Sequence, residues 1–201
     1  MACEGNGMSD ERIGEALIKE VIEEELKDVP SEDIPPLTPL TEVKTEQEKK
    51  MVMQLSKMIR IIGDRVQDDK EFQDVIDGVA SAPGSKSDNF RQVANKVFAD
   101  GITWEKIAVL IYVAGRLAVK MVEARLPQSV REVLSWTVSF FRNNLLSWVQ
   151  EHGGWINSFS ELAVVSMQSV SVSSHSYGLI IIFIAGMAIG SLITWRLSRQ
   201  S

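Results

Sequence analysis

Residue types from which disulfides and most catalytic sites are built are nearly absent from this chain of 201 residues. One cysteine, Cys3, excludes an internal disulfide and fits a reducing compartment. The two histidines are His152, which precedes a Gly-Gly break, and His175, which lies in a serine-rich stretch. No ligand cluster or pair of nucleophile and base can be assembled from these residues. The sequence therefore predicts neither an enzyme nor a metal or cofactor site.

Basic residues are also too few for a nucleic-acid-binding protein. The chain has 21 Lys and Arg against 27 Asp and Glu, and the charge is unevenly placed. Residues 1–50 carry 14 acids and 6 bases, whereas the remainder carries 13 acids and 15 bases. We expect a solvated acidic N-terminal region and no nucleic-acid partner. An anionic membrane surface would not repel the slightly basic remainder.

The N-terminus lacks the basic start and apolar run of a signal peptide. One long uncharged run, YGLIIIFIAGMAIGSLITW, occupies 177–195. As a helix it would extend roughly 28 Å, close to the hydrocarbon thickness of a bilayer. Trp195 and Arg196 are residue types that a spanning helix places at the headgroups. We expect a C-terminal membrane anchor over 177–197, with the bulk of the chain facing the cytosol; a buried apolar helix is the alternative.

Small residues interrupt this apolar run. Gly186 and Gly190 form a small-xxx-small step that lets another helix approach closely. Ser191 follows with a hydroxyl that lowers the insertion energy modestly, so the anchor is expected to lie near balance between protein and bilayer. The alternative is that the hydroxyl bonds back to its own helix and changes nothing.

Strand-like alternation is missing, and helical apolar periods predict an all-α bundle of eight to nine helices around a central hydrophobic hairpin. We expect a disordered N-terminus over 1–9, the bundle over 10–166 and a polar linker over 167–176. The first helix is predicted at 10–27. The acidic, proline-rich segment 28–45 is expected to be a mobile loop.

Proline and glycine breaks divide the rest of the bundle into further helices. They are expected at about 45–66, 69–80, 87–100, 103–125, 128–150 and 155–166. Within 103–125, nine consecutive uncharged residues have no preferred face, which is typical of a helix at the centre of a bundle. The aromatic-rich, amphipathic helix that follows completes the predicted hairpin.

The segment LSKMIRIIGDRV, 55–66, carries an apolar stripe that is followed by a Gly-Asp pair. Four residues at spacings of four, three and four share one helix face: Leu55, Ile59, Ile62 and Val66. Gly63 would let another backbone approach closely, and Asp64 offers a carboxylate beside the stripe. This pattern predicts a helix that binds an apolar groove with a basic residue on its rim. An ordinary amphipathic helix is the alternative.

Three segments together resemble the homology motifs of the Bcl family of apoptosis regulators. FADGITWEKIAVLIYVAGRLAVK at 98–120 resembles the first motif and LLSWVQEHGGWINSF at 145–159 the second. LSKMIRIIGDRV resembles the third, the death-helix motif. The motif order and the C-terminal run also match, and SVREVLSWTVSFFRNNLLSWVQEHGGW and SLITWR look most like the pore-forming effectors of the family.

The resemblance implies a groove between the death helix, the following helices and the start of the central helix. It assigns the four stripe residues to groove filling, Gly63 to close approach and Asp64 to pairing with a base on a partner's groove. The first motif contributes Gly101, Trp104, Lys106, Val109, Leu110 and Gly115. The second motif contributes Trp148, Gly153, Gly154 and Trp155. Where the family has Asn-Trp-Gly-Arg, this chain has Thr-Trp-Glu-Lys, so Lys106 is the candidate partner of Asp64.

Two functions remain open from the resemblance. The first is a pro-apoptotic effector that is cytoplasmic at rest and is activated by a death-helix ligand. It would then insert into the lipid of the mitochondrial outer membrane and oligomerise with itself. The second is a pro-survival member that sequesters death helices of other Bcl-family proteins without forming pores. A tether built on one long heptad seam is disfavoured by the proline breaks.

Overall fold

The computed structural model describes residues 4–30, 34–38 and 41–167. Within these ranges all regular structure is helical: α1 Glu4–Leu26, α2 Glu46–Asp64, α3 Lys70–Ser81, α4 Lys86–Val97, α5 Trp104–Glu123, α6 Ser129–Phe140, α7 Leu146–Glu151 and α8 Trp155–Met167. A π-helical turn, Phe141–Leu145, joins α6 and α7 into one continuous rod. The described ranges thus form seven helical rods and confirm the predicted all-α class.

The predicted linker beyond Met167 and the predicted anchor lie outside the described residues. The anchor residues that fall there are Gly186, Gly190, Ser191, Trp195 and Arg196. Among the helices that are described, none combines the length and the apolar character needed to cross a bilayer.

α5 lies at the centre of the bundle because its residues 107–115 are uncharged on every face. Fifteen of its 20 residues are buried. It packs against α1, α2, α3, α6 and α8, and its contact with α6 forms the predicted hydrophobic hairpin. A helix without a polar face must be enclosed on all sides, and the remaining helices provide that enclosure.

The rod that follows α5 was predicted as one α-helix over 128–150, and its π turn was missed. The turn accommodates an extra residue, so the side chains beyond it keep facing the core. Phe141, Leu145 and Val149 are all buried as a result. The Asn144 side chain donates to the Phe140 carbonyl at 3.0 Å within the turn. An insertion of this kind leaves the apolar spacing of the sequence helical, so periodicity does not reveal it.

α1 begins at Glu4, which makes the prediction of a disordered segment over 1–9 wrong for residues 4–9. The early start depends on polar contacts with distant segments and not on an apolar period. The Gln150 side chain donates to the Gly7 carbonyl at 3.1 Å, and Ser9 Oγ donates to Glu48 Oε1 at 2.7 Å.

The acidic segment between α1 and α2 contains no helix where it is described, in agreement with the predicted loop. Part of it is nevertheless held against the bundle. Leu37 is buried in the core, and Arg131 donates to the Pro36 carbonyl at 3.2 Å. The expected mobility therefore does not extend evenly along the loop.

Carboxylates on α1 fix its position against three other elements. Glu25 accepts from Arg60 of α2 at 3.2 Å and from Arg116 of α5 at 3.3 Å. Arg142 of the π turn pairs with Glu11 at 3.0 Å and also with the buried Glu15. Charged pairs of this kind specify one register for α1, which apolar contacts alone would not do.

Glu48 forms the corresponding junction on α2. Its carboxylate accepts from Ser9 Oγ at 2.7 Å, Arg12 Nη2 at 2.9 Å, Lys44 N at 2.8 Å and Thr45 N at 3.2 Å. Burial alone would raise the pKa of Glu48, but these four donors stabilise the charged form and bring the pKa down to about 2.

Glu48→Gln tests this junction. The substitution removes the charge that four donors bind, so the free energy of unfolding should fall by roughly 1.5–3 kcal/mol at neutral pH, the range for hydrogen bonds to charged groups. The folded-state pKa lies below the ordinary 4.5, so the contribution of the charge is fully present above pH 4.5. It is lost as the pH falls toward 2, and urea denaturation across that range measures the loss.

Glu46→Gln is the matched control, because that carboxylate is exposed and pairs with Lys49 of its own helix at 2.8 Å. Its effect should stay below about 0.5 kcal/mol. If Glu48→Gln lowers the free energy of unfolding by the same amount at pH 2 as at neutral pH, the loss does not come from the charge of Glu48.

Candidate functional site

The death-helix segment forms most of α2, whose start is fixed by a capping box. Thr45 Oγ1 accepts from Glu48 N at 3.1 Å, and the Glu48 carboxylate accepts from Thr45 N at 3.2 Å. The helix ends at Asp64, two residues before the predicted end at 66. Val66 therefore lies in the turn that follows α2.

The apolar stripe of the death helix faces inward. All four predicted groove-filling residues are buried: Leu55, Ile59, Ile62 and Val66. α2 places this face against α1, α5 and α8. The stripe is therefore part of the core of its own molecule, and a partner can contact it only after α2 has moved.

Gly63 is a position where α5 approaches α2 closely. A Cβ built on Gly63 would overlap the ring of Tyr112. An aromatic side chain of the same molecule thus occupies the space beside Gly63, and the approach of another backbone stays a prediction. Phe72 of α3 stacks against the Tyr112 ring with centroids 5.9 Å apart, so the ring has little room to move.

The sequence did not identify Tyr112 as a functional residue. In this contact, its hydroxyl is the group that lacks a hydrogen bond within the described residues. Oη is buried and has no hydrogen-bond partner in the described part of the chain. Burial raises the pKa of Tyr112, and the negative charge of Glu25 acts in the same direction. A buried hydroxyl without a partner costs roughly 1–3 kcal/mol. The layer beneath the death helix thus carries an energetic cost that a different arrangement could relieve.

Asp64 and Lys106 do not pair within this molecule. Asp64 is exposed and forms no ion pair with any of the described residues. Lys106 Nζ donates to the Gly101 carbonyl at 3.0 Å. Gly101 itself has a φ of +108°, a conformation that favours glycine. The predicted partnership could therefore form only between molecules.

Glu105 occupies the position where the resembling family has glycine. Its Oε1 is buried and has no hydrogen-bond partner within the described ranges. Burial raises the pKa of the Glu105 carboxyl. Within the described residues, neither Glu105 nor Lys106 forms an ion pair.

The first and second homology motifs meet around Trp104. Its ring lies 5.0 Å from that of Trp148 and 5.5 Å from that of Trp155, measured between centroids. Further along α5, Val109 and Leu110 are buried.

Close packing continues to the other end of α5. A Cβ at Gly115 would lie 2.8 Å from Cγ of Glu25, so α1 comes close to α5 at this point.

A crevice of about 530 Å³ opens where the two motifs meet. Its lining includes Trp104, Trp148, Glu151, His152 and Glu161. His152 stacks on Trp148 with centroids 3.9 Å apart. In the described part of the chain, no three His, Cys, Asp or Glu residues are grouped so that they could hold a metal ion. The crevice therefore offers aromatic and acidic surface to a partner and no metal centre.

Asp10 holds the start of α8, a role that the sequence did not reveal. Its Oδ1 accepts from Trp155 N at 3.1 Å, and its carbonyl accepts from Trp155 Nε1 at 2.9 Å. A Cβ at Gly154 would lie 2.6 Å from Oδ1, and Gly153 and Gly154 both have positive φ, of +88° and +73°. Burial raises the pKa of Asp10, whereas the hydrogen bond from Trp155 lowers it.

Comparison with known proteins accounts for this arrangement. The family model described as "Apoptosis regulator proteins, Bcl-2 family" matches residues 59–155. Apoptosis regulator BAX of Mus musculus is 32% identical over 143 residues, which cover 71% of this chain and 68% of that protein. The chain belongs to the Bcl-2 family. Bcl-2-like protein 1 of Homo sapiens is 31% identical over 93 residues, which cover 46% of this chain and 40% of that protein.

Two solved structures share the Bcl-2 fold with this chain. Trichoplax adhaerens trBcl-2L2 bound to trBak BH3 aligns with a TM-score of 0.62 and 20% identity, covering 74% of this chain and 96% of that one. Chicken BOK aligns with a TM-score of 0.59 and 22% identity, covering 77% and 97%. The family that the three sequence motifs predict is confirmed.

Gly63→Ala tests the contact beneath the death helix. The added methyl group would overlap a ring that is itself held by Phe72, so the free energy of unfolding should fall by roughly 1–3 kcal/mol. In a Tyr112→Ala background the methyl group has room, and the loss should be smaller. Chemical denaturation of the wild type, the two single mutants and the double mutant gives the coupling free energy between Gly63 and Tyr112.

Tyr112→Phe separates the ring from its hydroxyl. Because the hydroxyl has no partner, its removal should leave stability unchanged or raise it. A clear loss of stability in Tyr112→Phe would show that the hydroxyl is satisfied in solution.

Proposed function

We propose that this protein is a pro-apoptotic effector that permeabilises the mitochondrial outer membrane. A death-helix ligand activates it, after which it inserts into the membrane and oligomerises there. The observation that carries the proposal is the extent of the similarity to the BAX proteins. Identity of 32% with mouse BAX covers 71% of the chain, whereas the match to human Bcl-2-like protein 1 covers 46%.

The packing of α2 supports a resting state that has to be opened. The stripe of the death helix is buried, so the isolated molecule presents no free death-helix surface. Beneath it lies the hydroxyl of Tyr112, which has no hydrogen-bond partner in the described part of the chain. Contact of this hydroxyl with water or a new partner would recover part of its desolvation cost. Moving α2 out of the core therefore costs less free energy than the burial of the stripe alone would suggest.

α5 supports insertion into lipid. Its residues 107–115 are uncharged and buried, so displacement of its neighbours exposes surface that water solvates poorly and a bilayer solvates well. α5 is too short and too charged in its second half to be assigned as a spanning helix by itself. The uncharged run at 177–195 is the proposed anchor, and the protein is cytoplasmic until activation releases it.

The proposed partners are death-helix ligands, other Bcl-family proteins and a second copy of this chain. One protein that shares the fold, trBcl-2L2, was solved bound to trBak BH3, which supports a death-helix ligand here. In a dimer, the exposed Asp64 of one copy would pair with Lys106 of the other, and each contact would occur twice by symmetry.

A pro-survival function is the second candidate. The similarity to Bcl-2-like protein 1 favours it, because the matching segment amounts to nearly half of the chain. On this reading the protein holds death helices in its groove and leaves membranes intact. Fold similarity does not choose between the two.

Dye release from liposomes of mitochondrial lipid composition, with and without an activating death-helix peptide, tests the function. The full chain should release dye when the peptide is added. A chain ending at Ser176 lacks the proposed anchor and should lose most of this activity. A full chain that binds the peptide and blocks release by a known effector would instead establish the pro-survival function.

Asp64→Lys tests the proposed pairing in the oligomer. The reversed charge would face Lys106 of the second copy across a partly desolvated contact, so crosslinking of the membrane-bound protein should yield monomers. Adding Lys106→Glu should restore part of the dimer band.

Asp68→Lys is the matched control for this experiment, because it makes the same charge change at an exposed residue of the following turn. It should oligomerise like the wild type. Failure of Lys106→Glu to rescue any dimer would mean that another residue meets Asp64.

A further inference from the structure

Arg65, the first residue beyond α2, reaches the last turn of α8. Nη1 donates to the Val165 carbonyl at 2.7 Å, and Nη2 donates to the Ser166 carbonyl. The first of these bonds joins residues 100 positions apart in the chain. The end of the death helix and the end of α8 are thereby connected through one side chain.

The chemistry of this contact suits a guanidinium. Carbonyl groups in the last turn of a helix carry partial negative charge that a cation stabilises. The planar fork of arginine can donate to two neighbouring carbonyls at once, which the single ammonium of lysine cannot do with the same geometry. Within the described residues, these two carbonyls are the hydrogen-bond acceptors that the Arg65 side chain contacts.

The position of Arg65 depends on how α2 ends. Its backbone lies in the right-handed helical region, with φ −74° and ψ −22°, and its N–H donates to the Gly63 carbonyl. The side chain is therefore directed at α8 only while the last turn of α2 is intact and seated on Tyr112. Movement of α2 out of the core has to break both bonds to α8.

α8 is held at its two ends by different elements. Asp10 of α1 binds its first residue, and Arg65 binds its last turn. Residues 168–201, including the uncharged run at 177–195, continue from that last turn.

We propose that Arg65 is a positioning residue that couples the death helix to the end of α8, so that release of either one loosens the other. Coupling of this kind is reciprocal by thermodynamic necessity. Its regulatory meaning rests on the proposed function: a ligand that displaces the death helix would also free the start of the C-terminal segment. The coupling itself is a property of the folded chain.

Hydrogen–deuterium exchange of the full-length protein, read by mass spectrometry, tests the coupling. Arg65→Ala should speed exchange about tenfold in the last turns of both α2 and α8. The reason is that the loss of a hydrogen bond to a charged group changes the equilibrium constant for local opening by about tenfold or more. Peptides from α3, which provides none of the hydrogen-bond acceptors of the Arg65 side chain within the described residues, should exchange as in the wild type. Arg65→Lys should lie between the two because it keeps the charge and loses the fork.

Lys57→Ala is the matched control, since it removes an exposed cation from the same helix. It should leave both regions unchanged. Faster exchange in α3 as well would indicate general destabilisation and overturn the proposal. Faster exchange in only one of the two helices would also overturn it.

The reciprocal direction is tested by loosening α8. Val165→Ala trims a partly buried side chain and keeps the carbonyl that Arg65 binds. It should speed exchange in the last turn of α2 when Arg65 is present and have little effect there in the Arg65→Ala background. Equal effects in the two backgrounds would assign the coupling to packing and refute the role of Arg65.

A functional measurement separates this proposal from the proposed function. If the full chain is an effector, Arg65→Ala should release dye from liposomes at a several-fold lower concentration of activating peptide. If neither protein releases dye, the effector function fails, whereas the exchange data still decide the coupling. If both release dye at the same peptide concentration, the regulatory part of the proposal is overturned.

Discussion

Enclosure of α5 is the constraint on which the rest of the structure depends. A helix with nine consecutive uncharged residues on all its faces cannot be left against water, and five other helices pack around α5. The death helix is one of them, and its apolar stripe completes the core of this molecule. Under the proposed function the same stripe would also fill the groove of another molecule. Because both uses need the same face, they exclude each other at any one time.

Apolar enclosure does not decide how the surrounding helices are placed, and polar contacts of α1 and α2 supply that information. Glu48 ties α2 to α1 and to the preceding loop, Glu25 joins α2 and α5, and Asp10 holds the start of α8. Arg65 makes the corresponding contact at the far end of α8. These contacts are few and lie mostly at helix ends, where a small displacement breaks them.

The sequence predicts the parts of this fold that leave a periodic or local signal. The apolar spacing of Leu55, Ile59 and Ile62 predicts the buried face of α2, and the uncharged run predicts the central position of α5. The early start of α1 and the hydrogen bond from Trp155 to Asp10 depend on residues between 39 and 145 positions apart in the chain, and such pairs leave no local pattern. Tyr112 is hidden for a related reason: one aromatic in an apolar run does not indicate that it lies beneath Gly63.

The carboxylates of α1 also conceal positive charge. Arg60 on α2, Arg116 on α5 and Arg142 in the π turn all have their acidic partners on α1. Any rearrangement that separates α1 from the bundle would leave three guanidinium groups, one of them on α5, without these counter-charges. The acidic first helix therefore acts as an internal counterion for the arginines of the helices that it covers.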